Sequence, residues 1–255
     1  MCVLEQDGAG AGRFDFDSLD WRVDEAAKAG LDIIVGVGQK APRWPEFHLP
    51  AWTSPKDPDF DRHLFRMVEA VVRHFTDAPI SISQVENEPY FAFGGSTLKE
   101  SLLRREIELL RRLDDRPVML TESADKRDWA APAQWCDIPG VNLYTRLWDG
   151  RHYVDIDVVP ARYNAKIRSV SSSVTEVIVS ELQAEPWGPR PITELAPSEA
   201  AVTMNPERLR RNVEIAPSAG FETALFWGGE WWYWLRERSD PSMWEMARSI
   251  VEELA

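Results

Sequence analysis

The sequence predicts an α/β protein, a parallel sheet wrapped by helices on the scale of one (β/α)8 barrel. Three observations carry that expectation. Short apolar runs alternate with amphipathic helical patterns along the chain, the order that yields parallel strands joined by crossover helices. The 255 residues match the roughly 250 of a single barrel of this kind. Two apolar runs, Ile80–Tyr90 (ISISQVENEPY) and Val177–Gly188 (VIVSELQAEPWG), end in acidic groups, at the strand end where parallel α/β proteins place ligands.

The elements follow in order. Met1–Leu4 reads as the end of a strand, Gly8–Gly12 as a glycine-rich loop, and GRFDFDSLD leads into an amphipathic helix at Leu19–Ala29 that Gly30 stops. Leu31–Val37 is a continuous apolar run, as expected of a strand covered on both faces. The long loop after it carries Trp44, His48 and Trp52; loops of this length inside compact domains are usually functional. Asp59–Phe75 has helical apolar spacing (Phe60, Leu64, Met67, Val68, Val71, Val72, Phe75). Next come the strand at Ile80, a helix at Thr97–Leu113, a strand at Val118–Thr121 ending in Glu122, and a strand at Val141–Leu143 ending near Tyr144. A helix at Pro160–Ser171, a strand at Glu176–Ser180, a helix at Asn205–Ala216, a strand at Ala224–Trp227 and a helix at Met243–Glu253 complete the chain. No repeat or linker interrupts it, so residues 1–255 read as one domain.

Counting gives seven strands, the doubtful Met1–Leu4 included, where a closed barrel has eight. If the Ile80 strand is barrel strand four, the last is strand eight and the first β/α unit (β1/α1) is missing. The sequence thus predicts a barrel incomplete at its N-terminus, as in a truncated version of a longer protein. An upstream reading frame without a β1-like segment would refute that.

The formal charge of −13 argues against nucleic acid or an anionic membrane as partner. No run approaches the roughly 18 apolar residues of a membrane span, and no signal peptide is visible, which leaves a cytoplasmic location as the default. Cys2 and Cys136 belong to no CxxC pair or zinc-like spacing, the four histidines are scattered, and no metal site or cofactor is expected. His63 and His74 fall in or beside a helix and are expected to face solvent.

Glu86, Asn87 and Glu88 close an apolar strand, and such groups are costly to bury without partners. Glu181 follows VIVS directly, although Glu176 and Glu185 compete with it. Two glutamates on two strand ends are the minimum equipment for cleaving a glycosidic bond. Glu88 and Glu181 are 93 residues apart, and three of eight barrel units span about 94, which is consistent with barrel strands four and seven.

Asn87-Glu88-Pro89 on strand four, a glutamate on strand seven, the segment GRFDFDSLDWRVDEAAKAGLDIIVGVG and the strand-eight run LFWGGEWWYW together resemble the clan A retaining glycoside hydrolases. That clan has a (β/α)8 barrel and includes cellulase-like, β-xylosidase-like and β-galactosidase-like families. The resemblance implies Glu88 as general acid/base, Glu181 as nucleophile, Asn87 as a donor to the sugar 2-hydroxyl, Tyr144 as the holder of Glu181, and Trp227 as a flat platform beneath the sugar. Trp44, Trp52, Trp148 and Trp187 lie in rim loops that would line subsites, Glu230 would bind a sugar hydroxyl, and Glu122 would be a supporting carboxylate. The expected partner is a β-linked oligosaccharide or polysaccharide. The front of the chain departs from the clan, since MCVLEQDGAGAG stands where a first strand and helix belong. A catalytically impaired or purely saccharide-binding relic is the alternative reading. Exo or endo action, the sugar, and hydrolysis or transglycosylation stay open.

Overall fold

The structure, a computed structural model, describes residues 3–5, 13–43, 46–92, 97–126 and 128–254. The chain falls into two compact units, Met1–Glu122 with Ala131–Pro139, and Ser123–Ala130 with Gly140–Ala255. In order, the elements are β1 (Val3–Glu5), β2 (Arg13–Asp15), α1 (Asp17–Lys28), β3 (Ile33–Val37), α2 (Phe60–His74), β4 (Ile80–Val85), α3 (Glu100–Leu113), β5 (Val118–Ser123), α4 (Ala130–Ala133) and β6 (Ile138–Leu143). There follow β7 (Arg146–Trp148), β8 (Tyr153–Asp155), α5 (Pro160–Val170), β9 (Ile178–Gln183), a 3-10 turn at Ile192–Glu194, α6 (Pro197–Thr203), α7 (Pro206–Ser218), β10 (Ala224–Trp227), α8 (Gly229–Arg236) and α9 (Ser242–Leu254).

In the first unit β3, β4 and β5 pair in parallel, Val37 opposite Val85 and Gln84 opposite Met119. Helices α2 and α3 cover them. The i, i+4, i+8 spacing of Phe60, Leu64 and Val68, extended by Val71 and Val72, makes one apolar stripe on α2 that is buried throughout. α3 does the same with Leu103, Ile107 and Leu110, and Cys136 closes this core. Burial pushes the Cys136 thiol up to about 12, which makes it a packing group.

In the second unit β6, β9 and β10 pair in parallel, Asn142 opposite Glu181 and Trp227 opposite Gln183. Their core gathers Met204, Leu209, Trp231, Trp232, Met243 and Ile250. Asn205 caps α7 by accepting the Arg208 N–H at 2.8 Å, with Pro206 preset in the first turn.

The six helices expected from the sequence and the six parallel strands lie where the apolar patterning put them, within a few residues, while α4, α6 and α8 are additions to that reading. Three features differ. The N-terminal strand does not join the parallel set, because Val3–Glu5 pairs antiparallel with Arg13–Asp15 as a ribbon. A second ribbon, β7 with β8, follows β6, and its three-residue strands are too short to leave a periodic signal. His63 does not simply face solvent but is half-buried, packed edge-on against Trp52, whereas His74 is exposed as expected, stacked on Phe16 at 3.9 Å beside Asp20. Among the described residues no helix is long and apolar enough to cross a membrane.

Leu110 is fully buried whereas Leu254 is 71% exposed. Urea denaturation is expected to show Leu110→Ala less stable by about 2–5 kcal/mol and Leu254→Ala within about 0.5 kcal/mol of the parent.

Candidate functional site

At the end of β4 the chain turns sharply, with two non-glycine residues in the left-handed region, Glu86 at φ 59° and Glu88 at φ 42°. Such conformations cost on the order of 1–3 kcal/mol each and persist only where the surroundings over-determine them. Here they do. The Glu86 N–H donates to Val37 O at 2.7 Å and Gln84 Nε2 to Glu86 O at 2.9 Å. The Glu88 N–H donates to Thr121 Oγ1 on β5, and the Thr121 hydroxyl donates to Asn87 Oδ1, each at 2.9 Å. Asn87 and Glu88 are both buried, at 2% and 7% exposure.

Behind this turn lies a cluster of buried charge. The Glu86 carboxylate accepts the N–H groups of Gln39 and Lys40, at 3.0 and 2.6 Å. Gly38, at φ 127°, has to be glycine, since a Cβ there would stand 2.4 Å from the Glu86 carboxyl carbon. Lys40 is 1% exposed, and its ammonium donates to Glu88 O and Phe91 O, both at 2.9 Å, and pairs with Glu46 at 3.1 Å. Glu106, on the apolar face of α3, brings a second carboxyl against Glu86, and neither of its oxygens has a hydrogen-bond partner of ordinary geometry. Burial raises both acids, Glu86 from 4.5 to about 7, and the charge of Glu86 drives Glu106 further up.

In the second unit Glu181 lies within β9, two residues before its end. It is 7% exposed, and the Tyr144 hydroxyl donates to its Oε2 at 2.7 Å. The Trp187 ring meets Tyr144 edge-on at 5.2 Å. The loop that carries Tyr144 is tied to β9 by Gln183: its Oε1 accepts the N–H of Thr145 and of Arg146 at 2.9 and 3.1 Å, and its Nε2 donates to Arg146 O at 2.6 Å. Asn212 on α7 donates to Gln183 O at 2.8 Å and accepts the Thr145 hydroxyl at 2.8 Å. Trp227 ends β10 half-buried, its carbonyl accepting the Ala184 N–H at 3.0 Å. Gly228, at φ 149°, permits this approach, because a Cβ would fall 2.6 Å from the Ala184 carbonyl.

Of the residues expected from sequence, Asn87 and Glu88 therefore share one strand end with Thr121 and Glu122, while Tyr144, Glu181 and Trp187 form a contiguous group. Glu176 is exposed before β9 and Glu185 is half-buried after it, which leaves Glu181 as the enclosed carboxylate that Tyr144 holds. Glu230 is exposed in the first turn of α8. Trp44 and the loop 8–12 lie outside the described residues. Sequence reasoning missed Lys40, Glu46, Glu106 and Gln183. Glu106 was detectable, as it interrupts the apolar stripe 103, 107, 110 of α3. Lys40 sits in an irregular loop and left no such signal. Among the described residues no three His, Cys, Asp or Glu side chains form a metal-holding group.

No family model and no curated protein sequence matches the chain. Among solved structures it is similar to a GH2 β-galacturonidase from Eisenbergiella tayi, with a TM-score of 0.53 and 14% identity over 80% of this chain and 34% of that one. It is also similar to a GH113 β-1,4-mannanase (0.52, 15%, 89% and 72%) and to a hyperthermophilic β-glucosidase from Pyrococcus furiosus (0.51, 12%, 89% and 67%). The chain spans about a third of the galacturonidase's length. These likenesses show the fold alone, that of a (β/α)8 barrel, of whose eight strands six parallel ones are present among the described residues.

The charge cluster has a pH signature. Both carboxyls of the Glu86–Glu106 pair have folded values above the unfolded 4.5. Their contribution to stability is therefore complete below about pH 4; the share of Glu86 is lost as the pH rises through about 7, and that of Glu106 as the pH rises through its own raised value. Thermal unfolding of Glu106→Gln is expected to show a smaller fall in Tm between about pH 5 and 8 than the parent shows. Equal falls in both proteins would refute the raised Glu106 carboxyl.

Proposed function

We propose that this chain is a retaining glycosidase that cleaves the O-glycosidic bond of a β-linked oligosaccharide or polysaccharide, acting as a single barrel domain. The observation that carries the reading is the enclosed Glu181 carboxylate with the Tyr144 phenol at 2.7 Å on one oxygen. That donor orients the carboxylate that would attack. The fold supports the reading, since its solved neighbours include a β-galacturonidase, a β-1,4-mannanase and a β-glucosidase.

In this mechanism Glu88 protonates the leaving oxygen while Glu181 attacks the anomeric carbon and forms a covalent glycosyl-enzyme. Glu88 then takes a proton from the incoming water, whose oxygen displaces Glu181. With its Oδ1 committed to Thr121, Asn87 keeps its NH2 end as the donor for the sugar 2-hydroxyl. Trp187, packed on Tyr144, and Trp227, half-buried at the end of β10, are the aromatic faces for the sugar, and exposed Glu230 is a candidate for an outer hydroxyl.

The test is a panel of aryl β-glycosides. Glu181→Ala is expected to abolish turnover. Glu88→Ala should lose about 10²–10⁴-fold on poor leaving groups and recover with azide on good ones. Tyr144→Phe, which removes one charge-assisted hydrogen bond of about 1.5–3 kcal/mol, should lower kcat/KM about ten- to a hundredfold. A folded parent protein that turns over no panel member, nor any β-linked polysaccharide, would overturn the reading in favour of a saccharide-binding relic.

A further inference from the structure

Lys40 is the least expected charge in the molecule. An ammonium that is 1% exposed has lost its water and needs three acceptors for its three protons. It finds Glu88 O, Phe91 O and Glu46, all within 3.1 Å. Two of those acceptors belong to the backbone that carries the proposed acid/base, on both sides of Pro89. The main-chain N–H of the same residue donates to the Glu86 carboxylate at 2.6 Å. One residue on the loop after β3 thus grips the β4 turn at positions 86, 88 and 91, the segment that holds two left-handed glutamates. Glu46 is itself left-handed, at φ 66°, and its carbonyl accepts the Ala41 N–H at 2.9 Å, which turns its carboxylate back toward Lys40.

We propose that Lys40 is a positioning residue for Glu88: its buried ammonium fixes the carbonyls of Glu88 and Phe91 and so holds the strained turn in the conformation that aims the acid/base carboxyl. The catalytic consequence rests on the glycosidase reading above, whereas the grip on the turn does not. Glu86, Glu46 and Glu106 are the titratable groups around this grip, with Asp61 the further charge felt by Glu106.

The test uses the whole chain with Lys40→Met/Glu46→Gln, which removes the ammonium and the charge that balances it. Glu46→Gln alone keeps both carbonyl bonds and serves as control. Hydrogen exchange read by mass spectrometry is expected to speed up about tenfold in peptides covering 86–92 of the double variant, the change that loss of one charge-assisted hydrogen bond produces, with peptides over 178–183 unchanged and Glu46→Gln, which keeps both carbonyl bonds but unbalances the ammonium, showing a smaller rise over 86–92. In kinetics, kcat on poor leaving groups should fall about tenfold or more with KM little changed, while good leaving groups stay within about twofold. Should the methionine variant fail to fold, Lys40→Gln/Glu46→Gln replaces it under the same criteria at smaller amplitude. Unchanged exchange over 86–92 in a folded variant overturns the proposal, and so does an equal loss on good and poor leaving groups. A parent protein without glycosidase activity overturns the functional reading alone, and the exchange experiment still decides the grip.

Discussion

A lysine ammonium enclosed without water is the constraint on which the first unit depends. Desolvation of an ion that size costs several kcal/mol unless each proton meets an acceptor, and the acceptors nearest to hand are backbone carbonyls of the β4 turn. Meeting them requires a loop that folds back through Glu46, a glycine at 38 to admit the Glu86 carboxyl, and a strand end that leaves β geometry through two left-handed residues. Each of these would be unfavourable alone. Together they satisfy one another, and the result is a rigid turn presenting Asn87 and Glu88.

The second unit solves the same problem with neutral groups. Tyr144 is held over Glu181 because Gln183 and Asn212 tie its loop to β9 through amide hydrogen bonds. Neutral amides lose far less on burial than charges do, so this frame carries little pH dependence of its own. The acid-bearing turn, by contrast, leans on Lys40, Glu86, Glu46 and Glu106, whose protonation changes the forces between them. In the proposed mechanism the nucleophile thus stands on a pH-indifferent support, and the acid/base on a titrating one.

Much of this was legible in the chain, and the reason differs from group to group. Apolar period two and period 3.6 located the parallel strands and the main helices, because burying one face is the dominant energetic demand on each. Glu88 and Glu181 stood out as acids closing apolar strands, and Asn87 and Tyr144 as their neighbours at strand ends. The partner of β1, β2, and the ribbon β7–β8 escaped notice, since three residues are too few to show a period. Lys40 and Gln183 escaped because their partners lie up to 51 residues away in sequence and nothing local marks them as buried.

What the sequence determined by itself is the class of fold, a consequence of the hydrophobic patterning that each segment carries locally. Only the tertiary structure decided which lysine grips the Glu88 turn and which buried carboxyl of α3 stands against Glu86. Those depend on distances between groups remote in sequence and on the loss of water around them, and a linear pattern records neither.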